Sequence, residues 1–215
     1  MVALNTKIQA MRSHLLKAEH YRILCQSQSI EHFFAQTQNH SSLDEELKRM
    51  RLFSGYQLSI YGTNDLNWKI TNKHNKQAFA HIKGTEIDLE NISRIYRLKK
   101  YYPNTEVYPH VTPKFYRLSP NNIKQMALSA GVPEFMVVVK HTAYNHINFE
   151  NLELEISQTL SKTYCKVAKR YPHSLANAWR YFFAKQIETQ NLASIAEGLK
   201  YNLPPDEIYK YLRIL

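Results

Sequence analysis

The sequence predicts an all-α protein, and three observations carry that expectation. Only five of the 215 residues are glycine, where an ordinary chain holds roughly 7 %. Sandwiches, barrels and doubly wound sheets need glycine for turns at positive φ and for phosphate loops. The eight prolines all fall at or after Pro103, so the first hundred residues lack the residue that most firmly breaks a helix. Throughout, apolar residues recur at helical spacing between recognisable caps and stops.

Taken in order, the first helix is expected from about Asn5 to Cys25, with Ile8, Met11, Leu15, Leu16 and Leu24 on one side and Arg12, Lys17 and Glu19 on the other. Ser29 opens a second helix through Ile30, Phe33 and Phe34. Ser42 with Glu45 forms a capping box, and Gly55 ends that helix. Residues 55–85 read poorly: Gly62 to Asp65 suits a turn of a short hairpin, and Gly84 closes whatever precedes it. Thr85 and Asp88 resemble a cap for a helix to about Tyr101. Pro103, Pro109, Pro113 and Pro120 then mark a seam.

Ser119-Pro120 restarts a helix, Gly131 stops it and Pro133 starts another. From Asn148 to Tyr171 the chain is cleanly amphipathic, with glutamates in the first turns and Lys166, Lys169 and Arg170 in the last, which complements the helix dipole. Pro172 ends it. A helix from about Ser174 to Tyr201 follows, and Pro204-Pro205 separates a short one over 206–212.

Length allows one large or two small domains, and a chain of this size buries roughly 70 % of its unfolded surface. No apolar run approaches the roughly 20 residues of a membrane span. The first fifteen residues lack a signal-peptide core. The chain is therefore expected to be intracellular and soluble, with contact against a membrane surface left open. Net charge is +10, a balance that favours nucleic acid, anionic lipid or an acidic partner. Residues 1–107 hold fifteen Lys/Arg against ten Asp/Glu, and residues 108–215 hold thirteen against eight, so no basic tail stands out. Arg94, Arg97, Lys99 and Lys100, with Lys166, Lys169 and Arg170, form the candidate interaction surface. A solvated helix face is the plainer reading of the same residues.

Self-comparison finds an internal repeat. Ile87-Asp88-Leu89-Glu90-Asn91-Ile92, with Ile95, aligns at an offset of 100 with Ile187-Glu188-Thr189-Gln190-Asn191-Leu192 and Ile195. Ile30, Phe33, Phe34 and Thr37 align with Phe135, Val138, Val139 and Thr142 at an offset of 105. Two units of about a hundred residues, 1–112 and 113–215, are expected to share one plan. Asn91 and Asn191 sit on apolar stripes, where an amide is costly unless bonded. Each is expected to bond loop or helix-end backbone from the first part of its own repeat, with Asp88 or Glu188 joining in. Gly198 would let a second helix approach closely or would loosen the helix end.

Enzyme chemistry is not visible. There is no Gly-x-Gly-x-x-Gly, no phosphate loop and no His-Glu-x-x-His. The ten histidines are dispersed, and Cys25 and Cys165 read as buried small residues. No catalytic residue, metal site, cofactor or small-molecule substrate is expected.

The repeated segments resemble the C-subunit family of A/V-type rotary ATPases, whose vacuolar member is the d subunit. Asn5 to Leu16 with Tyr21, Leu24 and Ser29 is similar to the family's opening, and Ile87 to Arg97 to its Asp-x-x-Asn-Leu motif. Leu118-Ser119-Pro120 through Tyr144 resembles the start of a later repeat. Glu188-x-x-Asn191-Leu192-x-x-Ile195-x-x-Gly198-x-x-Tyr201, followed by Ile208, resembles the family's end. The resemblance implies an all-helical funnel of three wedges, without catalysis of its own, that couples the central shaft to the membrane rotor ring during proton or sodium transport. The implied partners are the rotor-ring and central-shaft subunits, with peripheral membrane contact. With two repeats in place of three, an open crescent is expected. The alternatives are a helical scaffold of the same fold outside a rotary motor, or a basic helical nucleic-acid-binding protein, although no nucleic acid is the favoured reading.

Overall fold

A computed structural model describes residues 2–38 and 73–215. The helix expected between Ser42 and Gly55 and the turn at 62–65 lie outside those residues. The fold is all-helical, with no strand among the described residues. Its helices are α1 (Val2–Ser13), α2 (Ala18–Cys25), α3 (Ile30–Gln38), α4 (Lys73–Tyr101), α5 (Pro120–Leu128), α6 (Val132–Lys140), α7 (Leu152–Arg170), α8 (Ala176–Lys200) and α9 (Pro205–Lys210). One 3-10 turn spans Tyr108–His110.

Two expected elements are corrected. The single helix from Asn5 to Cys25 is α1 and α2, broken at residues 14–17. There the Leu16 N–H leaves the helical ladder and donates to Glu188 Oε2 at 2.8 Å, and one interrupted turn is too short to disturb an apolar period. In the second correction, α4 runs unbroken through Gly84, which ends nothing. The Thr85 hydroxyl donates to the His81 carbonyl one turn back at 2.9 Å and is not a cap. A β-carbon on Gly84 would stand 2.5 Å from Tyr116 Cγ, so this glycine admits the Tyr116 ring against the helix.

The chain divides into two compact units. The first comprises residues 2–14, 73–185 and 213–215, and the second residues 15–38 and 186–212. In the first, α4 and α7 run antiparallel: Arg97 pairs with Glu153 near one end, Tyr164 Oη donates to Glu86 at 2.9 Å, and His81 meets Tyr171 at the other end. Beside them α5 and α6 form a hairpin. Leu89, Ile92, Ile95, Ile123, Met126, Phe135 and Val139 fill the space between it and α4. Ser119 caps α5 reciprocally: its N–H donates to Asn122 Oδ1 at 2.9 Å, and the Asn122 N–H donates to Ser119 Oγ at 3.1 Å.

In the second unit α2 and α3 are the helix pair that corresponds to α5 and α6; α9 packs against α2, and α8 reaches the start of the pair through Glu188. The two hairpins correspond at a constant offset of 102, since α2 and α5 start at 18 and 120, and α3 and α6 at 30 and 132. Tyr21, Leu24, Ser27, Phe33 and Thr37 are buried, and so are Ile123, Met126, Ser129, Phe135 and Val139, each 102 residues on. The N-cap geometry also matches, with the Lys17 N–H donating to His20 Nδ1 at 2.9 Å. The expected offset of 105 is therefore three residues out. An apolar pattern at i, i+3, i+4 and i+7 nearly superposes on itself when slid by three, so sequence matching settled on the neighbouring register.

Helix α8 ends in paired 6→1 and 5→2 bonds, Leu203 N–H to Gly198 O at 3.0 Å and Asn202 N–H to Leu199 O at 3.1 Å. Asn202 takes the left-handed conformation that this cap requires, at φ 53°. The turn folds α9 back onto α8, and a β-carbon on Gly198 would lie 2.6 Å from Ile208 Cγ1. Of the two expected roles for Gly198, close approach is the one the structure uses. Gly198→Ala should therefore lower stability by about 1–2 kcal/mol, because the overlap outweighs alanine's better helix propensity. Gly131→Ala, whose β-carbon meets nothing nearer than 3.8 Å, should stay within about half a kcal/mol. Urea denaturation of both variants checks the contrast.

Candidate functional site

Asp88, Asn91 and Arg94 stand one per turn along α4 and hold the segment that runs back beside the helix after Tyr101. Asp88 has no exposed surface. Its Oδ1 accepts from the Tyr116 N–H at 3.1 Å, and its Oδ2 accepts from the N–H groups of Arg117 at 2.7 Å and Leu118 at 3.2 Å. The Tyr144 hydroxyl donates to the same oxygen at 2.9 Å. Four donors meet one buried carboxylate, the condition under which a buried charge becomes tolerable.

One turn on, Asn91 makes a two-way bond with a single residue's backbone: Oδ1 accepts from the Thr112 N–H at 2.9 Å, and Nδ2 donates to the Thr112 carbonyl at 3.1 Å. A third turn on, Arg94 Nη1 donates to the His110 carbonyl at 2.7 Å, while Nη2 pairs with Glu90. Residues 110–118 are thus stitched to α4 as a strap. The expected structural amide is present, but its partner is a correction: Thr112 is at the end of the first half, not in its first part. Asp88 reaches further still, into residues 116–118.

Glu188 repeats the arrangement in the second unit. It is buried, and its carboxylate takes the Leu16 N–H, as Asp88 takes that of Leu118 102 residues later. Asn191, also buried, bonds the Tyr21 side chain. What packs together is therefore crossed relative to chain order. The acid near residue 88 closes the hairpin that follows it, and the acid near residue 188 closes the hairpin at the start of the chain.

The candidate basic residues do different things. Lys99 is half-buried and donates to the carbonyls of Ala127 at 3.0 Å and Ser129 at 2.6 Å, closing the C-terminal end of α5. Burial holds its ammonium below the usual lysine range. Arg94 and Arg97 are likewise engaged, in the strap and with Glu153. Lys100, Lys166, Lys169 and Arg170 are exposed. Because α4 and α7 are antiparallel, Lys100 and the Lys166–Arg170 group lie at opposite ends of the pair, about 25 Å apart by helix rise. The structure does not bring them into one patch.

Sequence reasoning missed Tyr144, Leu16 and the stitching role of Arg94. The last was readable, since Arg94 continues the three-residue spacing of Asp88 and Asn91; Tyr144 stood only at the end of the segment that resembles a later repeat, with nothing to single out its hydroxyl among fifteen tyrosines. It also missed His81, whose Nε2 is 3.0 Å from Tyr171 Oη and whose Nδ1 meets Tyr116 Oη. Among the described residues no three His, Cys, Asp or Glu are placed to hold a metal. A cavity between α5 and α6 is lined by Gln125, Leu128, Glu134, Val137 and His141. Its one carboxylate already accepts from the Ala130 N–H at 2.5 Å. Cys25 is buried, and its thiol is pushed up to about 11, which keeps it protonated.

Removing Asp88 leaves three backbone N–H groups and a tyrosine hydroxyl without an acceptor. Asp88→Ala should cost about 3–5 kcal/mol, Asn91→Ala about 2 kcal/mol, and Arg94→Ala, nearer the surface, under about 1 kcal/mol; chemical denaturation gives the order. Tyr144 is also a pH probe. Burial first, and then the Asp88 charge, raise its pKa well above the ordinary 10.0. The folded state thus resists ionisation that the unfolded chain undergoes near that value. Its stabilisation is complete below about pH 10 and is lost as pH rises further. Tyr144→Phe should flatten the alkaline limb of a stability–pH curve while lowering stability at neutral pH.

Comparison with known proteins agrees with this architecture. The family model described as ATP synthase (C/AC39) subunit matches residues 62–211. The chain is 26 % identical over 136 residues to the C subunit of the A-type ATP synthase of Archaeoglobus fulgidus, covering 60 % of this chain and 40 % of that protein. It therefore spans less than half the length of this curated relative. No solved structure matches it. No helix among the described residues is long and apolar enough to cross a membrane. A match over most of the chain, on a helical scaffold with the stitched acid–amide motif, shows that this protein belongs to the ATP synthase (C/AC39) subunit family.

Proposed function

We propose that this chain is a non-catalytic subunit of an A/V-type rotary ATPase and that it couples the central shaft to the membrane rotor ring during ion transport. The observation that carries the reading is the family match over residues 62–211. Its proposed partners are the rotor-ring and shaft subunits, and its proposed place is the cytoplasmic face of the membrane.

The architecture suits transmission of force. Each compact unit is a helical hairpin locked to a longer helix by a buried carboxylate and amide. Such bonds are directional and short-ranged, so a load applied to a hairpin reaches the long helix without a soft joint. The constant 102-residue correspondence of hairpins and the 100-residue correspondence of motif helices support reading 1–112 and 113–215 as two copies of one plan. In that reading each copy lends its acid to the other copy's hairpin.

The test is purification of the tagged full chain from detergent-solubilised membranes of its own cells. ATPase catalytic, shaft and ring subunits are expected in stoichiometric recovery, and deletion should abolish ATP-driven ion uptake by membrane vesicles while soluble ATP hydrolysis persists. A protein recovered repeatedly without any of these subunits would overturn the proposal.

A further inference from the structure

The connection after α4 carries an exposed aromatic surface that no other element among the described residues covers. Tyr101, Tyr102 and Tyr108 expose 63 %, 63 % and 56 % of their area, large fractions for aromatic side chains that gain about 2–3 kcal/mol each from burial. A turn closed by the Thr105 N–H on the Tyr102 carbonyl at 3.0 Å reverses the chain at this tip. Lys100 stands 5.3 Å from the Tyr101 ring centroid, and Lys114 and Arg117 are exposed further along the strap. Glu106 is the one acidic residue between Lys100 and Arg117.

We infer that this tyrosine-and-lysine tip is a docking surface for an anionic lipid bilayer, seating its rings at headgroup depth and its cations against lipid phosphates. Tyrosine suits that boundary because its ring prefers the acyl edge while its hydroxyl stays hydrated. Lysine stems can lie along the apolar layer with the ammonium in the headgroups, and each cation near an anionic leaflet contributes roughly 1 kcal/mol. The tip is also held firmly. Asp88, Asn91 and Arg94 anchor the strap along α4, so little chain entropy is lost on docking. Charge complementarity decides for a membrane over an acidic protein groove, since the cations are spread along the strap and not gathered around one pocket. The tip gives the proposed membrane-side location its contact surface, and it rests on that reading for its biological setting alone.

Co-sedimentation of the full chain with liposomes tests it without any ATPase subunit. Vesicles of about equal parts phosphatidylglycerol and phosphatidylcholine should retain the protein at low salt, and pure phosphatidylcholine vesicles should not. The triple change Tyr101→Ser, Tyr102→Ser and Tyr108→Ser should weaken retention about tenfold or more. Lys100→Glu with Lys114→Glu should do the same. Lys76→Glu with Lys162→Glu, which changes the charge equally at exposed sites away from the tip, should leave retention within about twofold. Circular dichroism identical to wild type confirms that the variants are folded. No retention on anionic vesicles, equal loss with the control pair, or binding of single-stranded RNA in place of vesicles would each overturn the inference. Co-purification with ATPase subunits alongside failed vesicle binding would remove the lipid surface and leave the proposed function standing.

Discussion

A carboxylate without exposed surface must gather donors or be neutralised, and Asp88 gathers four. Three are the consecutive backbone N–H groups of residues 116–118, which lie before the N-cap Ser119 and so need acceptors from outside the α5 ladder. The acid therefore serves a helix entry from outside, across α4. That one requirement fixes where the strap runs, where the α5–α6 hairpin begins, and why Tyr144 points inward. Apolar packing by Ile92, Ile95, Phe135 and Val139 then fills a space whose outline the polar bonds already set.

The acid-to-backbone contact recurs in the second unit. Glu188 has one more methylene than Asp88 yet still reaches the N–H just before an N-cap, that of Leu16. Asn91 bonds both the N–H and the carbonyl of Thr112, and Asn191 has the Tyr21 side chain among its partners. Acid to helix entry is a contact that both units share.

Positive charge is put to several separate uses. Lys99 closes a helix end, Arg94 pins the strap and Arg97 joins α4 to α7 through Glu153. Of the other candidates, Lys100 lies at one end of the α4–α7 pair and Lys166, Lys169 and Arg170 at the other, so these four do not share one face. A net charge of +10 is thus partly structural, and only the remainder is available for a partner.

Helix positions, the cap at Ser119, the close approach at Gly198 and the importance of Asp88, Asn91, Glu188 and Asn191 were legible in the chain. Each leaves a local mark: a period, a capping residue, a missing side chain, a polar group on an apolar stripe. Gly84 and Thr85 misled because a glycine and a hydroxyl carry the same local sign at a helix end as inside a helix, and only Tyr116 beside them tells which applies. Tertiary structure alone decided the 102-residue register of the hairpins, the break before α2, and the pairing of Asp88 with 116–118 and Glu188 with Leu16. These are choices among partners far apart along the chain. Helical periodicity is degenerate under small shifts, and a buried acid states that it needs donors without stating whose.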